Sequence, residues 1–225
     1  MTALGLSTWP ELDAGRRLLL VPLGSTEQHG PHLPFSTDTI VASAVAGGFA
    51  ARRSDVVVAP ALAYGASGEH AGFPGTLSIG QDAFEHVVVE LCRSADAFRG
   101  VVLVNGHGGN AAALARAVAT VVAEGRSVMA WSATVPGGDA HAGRTETSLL
   151  LHLAPELVHL DQAEPGDTRP MAEVLPDLVA GGVRSVSPNG VLGDPTGASA
   201  EAGAAILAKM VDALTSAVAV WRPLV

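Results

Sequence analysis

"RLLLVPLGSTEQHGPH", residues 17–32, sets an unbroken apolar run directly against a loop carrying a glutamate and two histidines. Such a run, rich in Leu and Val, reads as a strand buried in a sheet. Three more stretches read the same way: "DVVVAPAL" (55–62), "GVVLVNG" (100–106) and "SVMAWSA" (127–133). Between and after them lie segments of helical character at about 38–53, 81–98, 109–124 and 145–154. The clearest is "ASAEAGAAILAKMVDALTSAVAV" (198–220). Strand and helix in alternation imply right-handed crossovers, hence an α/β fold with a mainly parallel central sheet covered on both faces. The Gly/Pro-rich stretch 161–197 shows no clear periodicity. It is long for a structureless loop and is expected to cover the site or a subunit contact.

The 225 residues are enough for one domain with a buried core, and no linker or charge block divides 1–225. Hydrophobic residues make up 48% and charged residues 16%, the balance of a packed globule and not of a disordered chain. The formal net charge is −9, without Lys/Arg clusters, which argues against nucleic acid as a partner. Cys92 stands alone, so no intramolecular disulfide forms, and its helical context predicts a packed thiol. The N-terminus lacks the basic-then-apolar order of a signal peptide, and no uninterrupted apolar run is long enough to span a bilayer. The expectation is a soluble cytoplasmic protein without a membrane partner.

In a parallel sheet, ligands bind beyond the carboxyl ends of the strands. The four strands open there into "GSTEQHGPH", "YGASGEHAGFPG", "NGHGGN" and "PGGDAHAGRTE", which hold His29, His32, His70, His107 and His141. His86, His152 and His159 fall in or beside helical segments and read as structural. Glu27 and His29 are two apart, so an extended backbone points both the same way. Asp38 opens the next helix. It might be read as merely complementing the helix dipole behind a Ser36 or Thr37 cap, but that leaves Glu27 and His29 unexplained. A mixed carboxylate and imidazole set suits Zn²⁺, Mn²⁺ or Fe²⁺. Glu146 lies in the first turn of its helix, where the dipole again offers a bland explanation. Taken together, Glu27, His29, Asp38, His107 and Glu146 are too many donors for one zinc with an open position. They suit two ions sharing Asp38, which leaves His141 as a proton-transfer group.

Rival chemistries fit less well. Gly106–Ala111 matches G-x-G-x-x-G/A, but it follows the third strand and no acidic residue ends the next one. Its glycines are expected instead to let the backbone turn tightly while presenting His107. Ser25, Ser36, Ser67 and Ser148 lie near histidines, yet none occupies a G-x-S-x-G elbow, and Cys92 lacks a loop context. A metal-activated water remains the nucleophile of choice. Glu69 and His70, on the second-strand loop, are candidate substrate contacts. Trp131 is a candidate pocket wall, with a core indole as the alternative. His32, between two prolines, either fixes its loop or touches substrate.

"GSTEQHGPHLP", "TDT", "GASGEHAGFPGT", "NGHGGN" and "HAGRTETS" resemble, in order, the motifs of the creatininase family of metal-dependent amidohydrolases. Within that family, "APALAYGASGEHAGFPGTLSIG", "PGGDAHAGRTETSLLLHL" and "GVLGDPTGASAEAG" resemble the branch of the mycofactocin system. The resemblance implies a three-layer α/β/α sandwich and two divalent ions per chain, Zn²⁺ and/or Fe²⁺ with Mn²⁺ possible. It also implies a homo-oligomer, commonly a hexamer. The implied activity is a peptidase that removes a C-terminal Val-Tyr dipeptide from a modified, ribosomally made precursor peptide during redox-cofactor biosynthesis. Glu27, Asp38 and His107 match the family's first-metal ligands, His29 and the bridging Asp38 those of the second, and His141 the catalytic histidine. Two positions depart: Gly109 stands where creatininase has an acidic second-metal ligand, and Ala140 where it has a glutamate. Glu146 is the expected replacement ligand. Two other readings stay open: a family amidohydrolase acting on a small cyclic amide or formamide, and a non-catalytic metal-binding maturation partner.

Overall fold

The computed structural model describes residues 2–12 and 17–222. Five parallel strands, β1 (Thr2–Ala3), β2 (Leu18–Leu23), β3 (Val56–Val58), β4 (Gly100–Asn105) and β5 (Val128–Ser132), form one sheet in the order β1-β3-β2-β4-β5. β2 and β4 are its centre, paired from Leu18↔Gly100 to Leu23↔Asn105, and every residue of both is buried. This burial on both faces is why their sequences are continuously apolar instead of alternating. The two-residue β1 was not foreseen, because two residues carry no periodicity.

Helices α1 (Trp9–Leu12), α2 (Thr37–Ala51), α3 (Gly80–Arg93), α4 (Ala111–Ala123), α5 (Arg144–Leu153), α6 (Met171–Gly181), α7 (Val183–Val186) and α8 (Ala200–Val220) complete the fold. Successive strand residues point to opposite layers. Leu18, Leu20, Val102 and Val104 pack with Phe49 of α2, Leu149 and Leu150 of α5 and Leu214 of α8. Leu19, Val21, Leu23, Val101 and Leu103 pack with Phe84, Val88 and Cys92 of α3 and Leu114 of α4. The expected three-layer sandwich is the observed one. Truncating a fully buried leucine such as Leu20 or Leu103 costs about 2–5 kcal/mol.

Two expectations need correction. α3 ends at Arg93, not near 98: the Ser94 hydroxyl turns back to donate to the Leu91 carbonyl at 2.9 Å, and such local bonds compete with helix continuation. Residues 161–197 are not structureless, since they contain α6 and α7. Met171, Val174, Leu175, Leu178 and Val179 of α6 do fall at helical spacing, but Pro176 in their midst reads as a helix breaker and obscured the element; only Val174 is buried, while Leu175 and Val179 stay exposed. α8 has the length and apolar composition that a membrane-crossing helix also has, a property shared by core helices of globular proteins. It carries Lys209 and Asp212 mid-helix, and its buried Met210, Val211 and Leu214 pack in the layer with α2 and α5.

Candidate metal centre

The carboxyl ends of β2, β3, β4 and β5 lead into loops that meet at the start of α2. Close approach there depends on glycine. A Cβ on Gly106 would overlap the Asp38 carbonyl, and one on Gly24 would overlap Thr39. Neither Gly106, Gly108 nor Gly109 has a positive φ. The "NGHGGN" glycines are therefore not needed for tight turning, as the sequence reading had it; Gly106 is needed for contact with α2.

Asp38 is buried in the first turn of α2, without a side-chain cap from Ser36. Its Oδ1 lies 3.1 Å from His29 Nε2 and its Oδ2 3.2 Å from His107 Nδ1, while the Ser25 hydroxyl donates to Oδ2 at 2.6 Å. One carboxylate thus stands between two imidazoles. Burial alone would raise the Asp38 pKa, but His29 and then His107 outweigh it and hold the group well below the carboxylate range. Burial likewise opposes charge on His29, yet Asp38, Glu146 and Glu27 raise its pKa to about 10. His107 is held up similarly: burial is outweighed by Asp38, Glu27 and Glu69.

Glu27 is almost fully buried, with Oε2 3.1 Å from His107 Nε2 and Oε1 3.3 Å from His70 Nε2. Burial, and then the Asp38 charge, raise its pKa. Among the described residues neither Glu27 oxygen has a hydrogen-bond partner. A buried carboxylate that makes no hydrogen bond, with only imidazole nitrogens close by, is costly unless a cation compensates it. Donor atoms gather within 4.8 Å of one another in Glu27–Asp38–His107 and in His29–Asp38–Glu146, and further sets join Glu27 to His29 and His141 or to Glu69 and His70. This set of hard oxygens and imidazole nitrogens fits a divalent ion such as Zn²⁺.

Glu146 is used twice. Its Oε2 accepts a 2.6 Å bond from the Ala142 backbone N–H, holding that residue at φ 53°, and it faces His29 Nε2 at 3.9 Å. His141 is buried and pinned through Leu192: His141 N–H donates to the Leu192 carbonyl at 3.1 Å, and Leu192 N–H returns the bond at 2.9 Å. Its ring stacks 4.2 Å from that of His29 and 4.5 Å from that of His70. Burial, then the nearby His29, push its pKa down to about 4.

His70 is buried against Gln28 (2.8 Å) and Glu27, and its pKa falls to about 2 through burial and the surrounding imidazoles. Glu69 is partly exposed, 3.4 Å from His107 Nε2. His32 is buried against the Thr147 hydroxyl at 2.9 Å, so it fastens its loop to α5. Trp131 is not brought to the site; it packs against the core layer with α2, α5 and α8. His86, His152 and His159 are exposed and remote from this cluster.

Two residues escaped the sequence reading. Gln28 donates to the Gly190 carbonyl at 3.1 Å, accepts from Gly30 N–H at 2.8 Å and touches His70. Its position between Glu27 and His29 was the available signal, since an extended backbone aims it to the opposite side. Ser25, weighed only as a nucleophile, instead anchors Asp38. A cleft of about 810 Å³ borders Asp38, His107, His141, Arg144 and Glu146, and a second of about 610 Å³ runs from Glu27 and Glu69 along α6.

The model of the family described as "Creatininase: Creatinine amidohydrolase" matches residues 6–218. The chain belongs to the creatininase family. A mycofactocin precursor peptide peptidase of Mycolicibacterium smegmatis is 52% identical over 99% of this chain and 92% of its own length. A creatinine amidohydrolase of Pseudomonas putida is 30% identical over 95% of each chain. A solved structure titled "Creatininase Mn" superposes with a TM-score of 0.78 at 29% identity, covering 96% of this chain and 97% of its own. A mutant creatininase of Zn-Zn type does so with the same score, covering 96% of each chain. Membership in this family makes the chain a hydrolase of C–N bonds.

Proposed function

We propose that this creatininase-family chain is a metal-dependent peptidase acting on the modified mycofactocin precursor peptide and releasing its C-terminal Val-Tyr dipeptide. The observation that carries this reading is the buried Glu27 carboxylate, which makes no hydrogen bond and has only the ring nitrogens of His107 and His70 close by, beside an aspartate held between two imidazoles. The 52% identity to a curated precursor peptide peptidase supports the substrate.

In this reading Glu27, Asp38 and His107 would hold one divalent ion, and His29, Asp38 and Glu146 would hold a second. Zn²⁺, Fe²⁺ and Mn²⁺ all accept these donors, and the Zn-Zn and Mn relatives support that range. When bound, such ions acidify water and polarise the scissile carbonyl. His141 supplies the proton path. Its Nε2–H donates to the Gln28 carbonyl at 2.8 Å, which leaves Nδ1 bare on the side of Glu27, 3.9 Å from Oε1. A neutral imidazole so held takes the proton of the attacking water at Nδ1 and returns it to the departing amine. Gln28 thus fixes His141 through its backbone carbonyl and His70 through its side-chain amide, which donates to His70 Nδ1 at 2.8 Å. By the same family resemblance the chain works as a homo-oligomer, commonly a hexamer.

A small-amide hydrolase is the second reading, favoured by the likeness to creatinine amidohydrolase. The local packing disfavours it. Even a Cβ at Gly109 would overlap Glu69 and His107 and lie 2.5 Å from the Ala66 carbonyl, so an acidic side chain cannot enter without moving backbone.

The test is mass spectrometry of the modified precursor peptide incubated with metal-loaded protein, with and without chelator. Chelator-sensitive loss of Val-Tyr is the expected result. An intact peptide at full metal occupancy would turn the assignment to small amides.

A further inference from the structure

We propose that the Arg144 guanidinium receives the terminal carboxylate of the peptide substrate and so sets where the chain is cut. This rests on the peptidase reading above. Arg144 is the first residue of α5, two before Glu146, and borders the same cleft as Asp38, His107 and His141. A cation is poorly placed there for the helix, because the exposed amides of the first turn favour anions. The nearest acid offers no compensation: both Asp139 oxygens accept backbone N–H groups, one from Arg144 itself and one from Thr145 at 2.9 Å.

Arg169, the other arginine of this cleft, is engaged, as is Arg184 of α7. Arg169 is bound by Asp167 through Nε at 2.9 Å and Nη2 at 2.5 Å, and Arg184 donates to the Gly72 carbonyl at 2.6 Å. Among the described residues the Arg144 side chain has no hydrogen-bond or ion-pair partner, and it is exposed to the cleft. The Arg144 fork borders the cleft of the carboxylate-rich centre with none of the described protein carboxylates taking it up, so both its edges are available to an incoming carboxylate. Reach agrees with the cut. Two extended residues separate the scissile carbonyl from the terminal carboxylate, roughly 7 Å. Arg144 lies about 3 Å along the helix axis from Glu146, and its long side chain spans the remainder.

The experiment compares kcat/KM of metal-loaded parent, Arg144→Gln and Arg144→Lys on the modified precursor peptide with a free C-terminus and on its C-terminal amide, with metal content measured in parallel. The parent should prefer the free acid by roughly tenfold to a hundredfold, the scale of a charge-assisted hydrogen-bond pair. Arg144→Gln should bring the acid down toward the amide with metal content unchanged, and Arg144→Lys should restore part of the preference. A parent that cuts acid and amide equally, or an Arg144→Gln variant that keeps the parental ratio, overturns the carboxylate clamp alone. Loss of metal from Arg144→Gln makes the residue a support of the centre and overturns the clamp as well. A parent that cuts neither peptide removes the peptidase reading, and the clamp with it.

Discussion

The first turns of α2 and α5 each carry one acidic residue aimed at the same centre, and they are built differently. Asp38 in α2 is buried, anchored by Ser25 and shared between His29 and His107. Glu146 in α5 is 23% exposed, spends one oxygen on the Ala142 N–H and faces only His29, at 3.9 Å. A carboxylate at a helix start has a ready structural role in both places, yet only Glu146 performs it. The difference shows that helix-dipole complementarity and ion binding are told apart by partners and burial, not by position along the helix.

Asp38→Ala should break the comparison outright. Both metal equivalents and all turnover should disappear by elemental analysis and peptide assay. The metal-free protein should lose about 3–5 kcal/mol in denaturant unfolding, because two buried imidazoles are left without their counter-charge. Glu146 sharpens it. Glu146→Gln keeps an oxygen for Ala142 and should lose one metal equivalent with little change in stability. Glu146→Ala should lose the same equivalent and a further ~1 kcal/mol from the missing cap. A Gln variant that retains both equivalents would return Glu146 to a purely structural role.

The pairing at Asp38 also sets a pH response in chelator-treated protein. The His29 pKa is raised to about 10 from 6.5, so its contribution is complete below 6.5 and lost as pH climbs toward 10. The Asp38 pKa is depressed, so its contribution is present above 3.8 and lost as pH falls. Thermal unfolding should therefore show a plateau between these limits and a decline on the alkaline side. A Tm rising steadily from pH 7 to 10 would contradict the pairing. The smallest effect lies far from the centre: burial pushes the Cys92 thiol up to about 11, so alkylation at pH 8 should be slow in the folded state and fast in denaturant.

Much of this was legible in the sequence because two periodicities coincide. Fully apolar runs mark β2 and β4, and the parallel-sheet rule then places Glu27, His29 and His107 on one rim. Asp38 follows because α2 starts at Thr37, directly beyond the loop, and puts it in its first turn. What stayed hidden depends on distance in the chain. Gln28 acquires its role from Gly190, and the close packing of Glu69 on Gly109 needs two loops together. α6 was missed because Pro176 interrupts its apolar stripe and reads as a breaker, and most of that stripe faces a cleft instead of the core. Arg144 gave only a weak sign, a cation where a helix favours an anion.

The most direct measurement is anomalous diffraction from crystals of the Zn²⁺-loaded protein. Two peaks flanking the Asp38 carboxylate are predicted, one beside Glu27 and His107 and one beside His29 and Glu146. A single peak, or density at Glu27–Glu69–His70 with Asp38 uninvolved, would contradict the shared-carboxylate centre.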